Sequence, residues 1–441
     1  MSLNPNERTS RRDFMKTSTA VAVGTGLLGG LSLSPRAYAS GDDTIRIGLV
    51  GCGGRGSGAA HQALSTKGNV KLVAMADAFE NQLQSSLKNL KRQFDPQSGR
   101  VAVDPDHQFV GFDAYEKLLA SNVDLVILAT PPGFRPIHFE AAVKAGKNIF
   151  TEKPLGVDGP GVRRVLAANE HAKAKNLKVG VGLQRHHQPA YLEVIDRLKS
   201  GAIGDIVAMR VYWNDGGVWE PRVTHEQVKT EMEYQMRNWY YYTWLCGDHI
   251  VEQHIHNLDV GNWIEGGHPV RCWGVGGRQV LTDKRYGEIF DHHCVEYEYA
   301  DGTRMYSQCR HQPNTWKSVT EHAVGTKGTA NVSKPTIKSG DGEWQFRGHN
   351  PNPYQVEHDD LFAAIRENRA YNEVENGAHS TLTAIMGRMA TYSGKEVGWD
   401  AALNSEIDLM PKRFAWDADP AVVPLADGSY PIAVPGVTKA V

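Results

Sequence analysis

The chain is short of cysteine. Its five, Cys52, Cys246, Cys272, Cys294 and Cys309, are scattered through 441 residues with an odd count and no Cys-x-x-Cys pair. That spacing argues against a disulfide framework and a thiolate zinc site, and leaves the thiols as small hydrophobes for burial. An excess of one charge is also missing: 48 basic residues against 50 acidic give a formal net charge of −2. Nucleic-acid and anionic-membrane partners normally leave a basic patch or stripe, so neither is expected. No low-complexity tract or internal repeat is present. With 41% hydrophobic and 22% charged residues, the composition is that of an ordinary globular protein, long enough for two or three domains with ample cores.

A long hydrophobic run is absent as well. The most apolar stretch, Thr17 to Leu33, is rich in Gly, Ser and Thr and falls short of the roughly 20 residues that a membrane span needs. It follows Ser10-Arg11-Arg12-Asp13-Phe14-Met15-Lys16, which resembles a twin-arginine signal, and precedes Ala37-Tyr38-Ala39, a small-x-small cleavage site. Residues 1–40 are therefore expected to be a signal peptide. The mature chain would be exported, to the periplasm, already folded and with no stable span.

The stretch with most to say is Ile45 to Gly56. A β-type apolar run enters Gly51-x-Gly53-x-x-Gly56, and a helical pattern follows, the context of a dinucleotide turn. The glycines keep the turn tight, let backbone N–H groups approach a pyrophosphate, and let helix and strand pack closely. Gly54 and Arg55 lie in the same turn. A second strand, Val70 to Ala76, ends at Asp77, about 20 residues on, where an acid accepts from ribose hydroxyls; it would repel a 2′-phosphate, so NAD is favoured over NADP. Asp77 also suits a helix cap. Residues 81–122 read as two helical patterns around a polar surface loop. Val123 to Ala129 is a buried-strand run ending in Thr130-Pro131-Pro132, a helix with His138 follows, and Asn148-Ile149-Phe150 leads into Thr151-Glu152-Lys153-Pro154.

In this order, the glycine turn, Asp77, Ala129-Thr130-Pro131 and Glu152-Lys153-Pro154 resemble the Gfo/Idh/MocA family of nicotinamide-dependent sugar oxidoreductases. The resemblance implies an α/β chain: an N-terminal Rossmann domain over residues 44–175, then an α+β domain over 176–441 with a large open, mainly antiparallel sheet that commonly makes the oligomer contact. It places Lys153 beside the nicotinamide and the reacting carbinol. A lysine in a partly desolvated cleft has its charged form disfavoured, which suits acid/base work. Cofactor contacts are then expected from Gly51, Gly53, Gly54, Arg55, Gly56, Asp77, Thr130, Pro131, His138, Glu152 and Lys153. The segment after the strand at 178–182 would put Gln184, Arg185 and His186 into the interdomain cleft, against sugar hydroxyls.

In the second half, Tyr234, Trp239, Tyr240, Tyr241, Tyr242 and Trp244 crowd together. Aromatic rings stack on sugar C–H faces and also fill cores and interfaces, so both readings stay open; Trp239 and Tyr240 are the substrate candidates. Cys246 to Trp263 reads as one helix, with His249, Glu252, His256 and Asp259 on one stripe and Val251, Ile255 and Leu258 opposite. By the family's spacing His256 is the proton-transferring base, Glu252 its orienting acid and Asp259 a further substrate contact. The spacing of His249, Glu252 and His256 is also compatible with one metal ion, but the preferred reading assigns no metal. A hairpin is expected around Asp301-Gly302, and helices over 354–368 and 377–393.

The function implied is an exported oxidoreductase acting on a sugar or sugar derivative by hydride transfer, as a homo-oligomer with tightly held NAD, because free cofactor is scarce outside the cytoplasm. One alternative is redox-neutral glycoside cleavage by oxidation, elimination, hydration and reduction. Another is a non-catalytic sugar sensor, which would have no need of Lys153 and His256.

Overall fold

The computed structural model describes residues 43–441, so the signal expected within residues 1–40 lies outside the described residues. Six short apolar runs form a parallel sheet: β1 (Ile45–Val50), β2 (Val70–Asp77), β3 (Gln108–Val110), β4 (Leu125–Leu128), β5 (Asn148–Thr151) and β6 (Val179–Val181), in the order β3-β2-β1-β4-β5-β6. Alternate residues of the central strands enter different apolar clusters. Leu49, Leu125 and Ile127 join Ala59, Ala63 and Leu83, whereas Val50, Val126 and Leu128 join Leu118, Phe139 and Val143. Period-2 alternation with both faces covered by helices is why these runs are continuously apolar. The strand order reverses between β1 and β4, which opens a crevice at the carboxyl ends of both. The sheet takes its last strand from beyond residue 175. Three-residue β3 falls in the stretch read as helices and loop, too short for any period to show.

The second sheet has nine strands: β7 (Ile206–Asp215), β8 (Arg271–Gly277), β9 (His292–Glu298), β10 (Arg304–His311), β11 (Ser318–Gly325), β12 (Gly328–Asn331), β13 (Thr336–Ser339), β14 (Gly342–Gln345) and β15 (Val397–Gly398). Their order is β14-β13-β12-β11-β7-β10-β9-β8-β15, antiparallel throughout except for the pair of β7 with β10. The expected hairpin is present, with Met305 opposite Tyr297 and Gly302 at φ +91° in its turn.

Two late helices bind the halves together. Val374–Ser393 packs on β8, β9 and the helix Gly159–Ala174. Pro353–Arg366 sends Leu361, Phe362 and Ile365 into the core of the first sheet, and Arg366 donates to the carbonyls of Asp43 and Asn69. No helix among the described residues is long and apolar enough to cross a membrane.

His187, in the turn after β6, reaches both helical segments: Nδ1 lies 2.7 Å from Asp360 Oδ2 and Nε2 2.9 Å from Glu373 Oε1. Burial alone would lower its pKa, but these two acids raise it to about 10. A raised pKa contributes stability that is full below about pH 6.5, the unfolded value, and is lost as pH rises through about 10. His187→Gln is therefore expected to reduce stability by about 1.5–3 kcal/mol near pH 6. Melting curves of the two proteins should converge as the pH approaches 10.

The helix expected over 246–263 is broken. Gly247 and Asp248 have φ of +78° and +74°, and two consecutive left-handed residues cannot continue an α-helix. A one-turn helix, His249–Glu252, and a longer one, Ile255–Glu265, follow. The break rotates the four residues of the expected stripe apart. Val251, Ile255 and Leu258 are buried as predicted.

Candidate active site

A cavity of about 680 Å³ lies at the carboxyl ends of β1, β2, β4 and β5, roofed by residues of the second half. Its floor is the glycine turn. Gly51 has φ +95°, and a Cβ there would lie 2.6 Å from the backbone of Ala129 and Thr130. At Gly56 a Cβ would run into the Gly51 carbonyl oxygen, whereas at Gly53 and Gly54 it would meet nothing within 4 Å. Two glycines thus let the backbone pack, and two leave the cavity side open. The helix Gly54–Leu64 starts with no side-chain cap and no acid in its first turn, which leaves its first N–H groups for an anion. Gly53→Ala is expected to leave the melting temperature unchanged while weakening NAD binding. Gly56→Ala should lower both, by about 1–3 kcal/mol of overpacking; calorimetric melting and cofactor titration separate the two cases.

Asp77 closes the turn from the neighbouring strand. Its Oδ2 accepts from Cys52 N at 2.7 Å and its Oδ1 from Phe79 N at 2.8 Å. The carboxylate is thereby fixed at the cavity wall with lone pairs to spare for hydroxyls. It does not cap the helix Glu80–Gln93, whose cap position is Phe79. Thr130 and Pro131 line the wall at the end of β4, and His138 Nδ1 lies 3.1 Å from Thr130 Oγ1. Burial, with the Arg135 charge, pushes His138 down to about 3, so it is a neutral ring stacked on Phe134. These residues, together with the uncapped helix end and the open glycines, fit a dinucleotide along the floor.

At the far end, Arg55 Nε donates to Glu152 Oε1 at 2.6 Å and lies over the Tyr354 ring. Glu152 fits there because Gly182 has no side chain: a Cβ on Gly182 would come within 2.6 Å of Glu152 Oε2. Lys153 is not isolated in the cleft as expected. Its Nζ donates to Glu252 Oε1 at 2.9 Å and to the Glu252 carbonyl. His256 stands on the same wall, its ring stacked 6.1 Å from Trp213. Its Nδ1 is buried without a partner, which leaves Nε2 for the cavity. Burial, then the positive charges of Lys153, Arg185 and Arg55, hold His256 well below the usual imidazole range. The site thus places a neutral imidazole beside a lysine ammonium, both near the end of the phosphate turn. That arrangement can accept a proton and stabilise a negative oxygen.

Several expected substrate contacts are tied up elsewhere, and none of them lines the cavity. Gln184 donates to Tyr354 OH at 3.1 Å, and Arg185 pairs with buried Glu321 at 2.5 Å. His186 bonds Asp259 at 2.8 Å and stacks on Trp263. Asp259 also accepts from Asn376 and Ser380, so the broken helix has turned it into the interior. Of the aromatic crowd, Tyr234, Tyr240, Tyr241, Tyr242 and Trp244 are buried in one cluster, and only Trp239 lines the cavity. His249, Glu252 and His256 do not surround one point: His249 stacks on His311, away from Glu252.

Other lining residues carried no readable signal. Trp213 comes from the end of β7, Trp219 and Arg237 from the irregular segment after it, Phe79 follows Asp77, and Arg135 lies beneath the floor. Arg135 donates to the carbonyls of Leu128 and Thr130 and is lowered to about 10 by burial.

A family profile described as the oxidoreductase family, NAD-binding Rossmann fold, matches residues 45–183. Inositol 2-dehydrogenase from Rhizobium meliloti (strain 1021) is 27% identical over 252 residues, 57% of this chain and 64% of that enzyme. This chain therefore aligns with less than two thirds of that relative. The structure of scyllo-inositol dehydrogenase from Lactobacillus casei with bound NAD(H) and scyllo-inositol superposes with a TM-score of 0.60 at 20% identity, covering 81% of this chain and 99% of that one. Aldose-aldose oxidoreductase from Caulobacter crescentus, complexed with glycerol, gives 0.64 at 17% identity, covering 80% and 99%. At such identities the structural likeness is one of fold.

Proposed function

Residues 45–183 are an NAD-binding Rossmann domain of the Gfo/Idh/MocA oxidoreductase family, and on that premise we propose that the chain is an NAD-dependent oxidoreductase acting on a polyol or sugar. The observation that carries this reading is the convergence of Lys153, Glu252 and His256 on the cavity floored by Gly51, Gly53 and Asp77. Bound NAD would supply the two-electron acceptor. The substrate hydroxyl gives its proton to neutral His256, the carbinol hydrogen leaves as hydride, and a carbonyl remains. Lys153 donates toward the oxygen while negative charge builds on it, and Glu252 fixes the lysine. The names of the relatives make cyclic polyols and aldoses the substrates to try first.

The Arg11-Arg12 motif supports export, and export supports a resident cofactor. Phe79 and Phe112 line the cavity near Asp77, and behind them pack Trp416 and, against Phe112, Phe414 of the C-terminal segment. This second layer covers that end of the site. Exposed Val275 and Tyr306 on the second sheet support a homo-oligomer. The test is to purify the chain in cofactor-free buffer, release and quantify nicotinamide, and screen inositols, aldoses and glycosides. About one equivalent of nicotinamide, reduced by a polyol or sugar, is expected. Glycoside cleavage without net reduction would replace this reading by the redox-neutral one, and a protein that binds sugars but never exchanges hydride would be a sensor.

A further inference from the structure

Behind the cleft lies a cluster of ionisable groups that the proposed chemistry does not use. Asp248, His249 and His293 each offer one ligand atom, all within 4.8 Å of one another. The side chains of all three are fully buried, and none lines the cavity. His293 Nε2 is 3.3 Å and His249 Nε2 3.8 Å from the same oxygen, Asp248 Oδ1. Yet both ring nitrogens of His249, and Nε2 of His293, have no hydrogen-bond partner. A buried imidazole with both nitrogens unsatisfied is unfavourable unless something sits between these groups.

The distances say what. Ligands at about 2.0–2.2 Å from a tetrahedral ion lie about 3.3–3.6 Å apart. Groups hydrogen-bonded to a central water at about 2.9 Å would lie roughly 4.7 Å apart. The separations of 3.3 and 3.8 Å are those of an ion's ligands. The supporting bonds agree. His293 Nδ1 is 2.9 Å from Thr391 Oγ1, which orients the ring with Nε2 toward Asp248. The second Asp248 oxygen accepts from Phe290 N and Tyr392 OH. Oriented imidazoles and a braced carboxylate are the usual surroundings of a metal.

We infer that Asp248, His249 and His293 form a buried site for one divalent transition-metal ion, zinc by donor type, with water as a fourth ligand. The ion has no access to substrate. It fastens the left-handed turn at Gly247 and Asp248 to β9, and so positions the one-turn helix that carries Glu252.

The test uses the full chain purified without chelator. Elemental analysis should find about one ion per chain, most readily zinc, retained through gel filtration. Chelation should lower the melting temperature and added Zn2+ restore it, and Co2+ loading should give the visible absorption of a tetrahedral site. Asp248→Asn and His293→Ala should lose the ion, whereas His322→Gln, on the second sheet, should keep it. If those two variants fail to fold, the wild-type metal content and Co2+ spectrum decide. A folded wild-type protein that holds no ion and takes up none from Zn2+, Co2+ or Mn2+ would overturn the inference. So would an ion retained in full by both ligand variants.

Discussion

Replacing Lys153 by alanine is expected to lower kcat/KM by about 10²–10³-fold, the usual loss when one preorganised donor to a developing oxyanion is removed. The effect should fall on kcat, because the lysine matters most when negative charge is on the substrate oxygen. Its position explains why nothing replaces it. The ammonium is held by the Glu252 carboxylate at 2.9 Å and by the Glu252 carbonyl, so the substitution also leaves a carboxylate in the cleft without its partner. Arginine should rescue poorly, since a planar fork cannot occupy the place of a compact ammonium. NAD binding, which rests on the glycine turn and Asp77, should be nearly unchanged by fluorescence titration. A loss confined to KM would instead make Lys153 a binding residue.

His256→Asn should lower kcat/KM by about 10²–10⁴-fold, the range for removing a positioned general base. Asparagine preserves much of the volume beside Trp213 but cannot take a proton at neutral pH. The wild-type pH profile carries a second sign of the same group. Only the neutral ring is a base, so the acid limb of kcat/KM follows its pKa. Burial, then Lys153, Arg185 and Arg55, hold that pKa well below the usual value. The rate should therefore remain on its plateau at pH values where an ordinary histidine, with a pKa of about 6.5, is already protonated. Steady-state rates from about pH 5 to about pH 9 check this. An inflection near 6.5 that disappears in His256→Asn would show a solvated ring instead.

The first half of the site was legible in the sequence because its parts are local. Gly51, Gly53 and Gly56 sit where a strand becomes a helix, Asp77 ends the next strand, and Glu152-Lys153 ends another. In a parallel sheet those strand ends meet at one edge whatever happens in between. The second half depends on one backbone event that periodicity cannot report. Asp248 adopts φ +74° directly after Gly247. A residue other than glycine rarely takes that conformation, and a hundred-degree helical wheel drawn through it places every later side chain wrongly. Hence Glu252 and His256 reach the cavity while His249 and Asp259 do not. The same limit applies to Gln184, Arg185 and His186: polar residues at a domain junction look alike whether they meet a ligand or, as with Arg185 and Glu321, each other. Trp213 and Tyr354 were invisible because they arrive through long-range packing of β7 and the helix Pro353–Arg366.

The measurement that bears most directly on the central claim is a single-turnover reduction of bound NAD, followed by the absorbance of the reduced nicotinamide on mixing with an inositol or aldose. The account predicts reduction in the wild-type protein, slowed by about 10²-fold or more in Lys153→Ala and in His256→Asn at full cofactor occupancy. Equal rates in all three proteins, or cofactor that no polyol or sugar reduces, would contradict it.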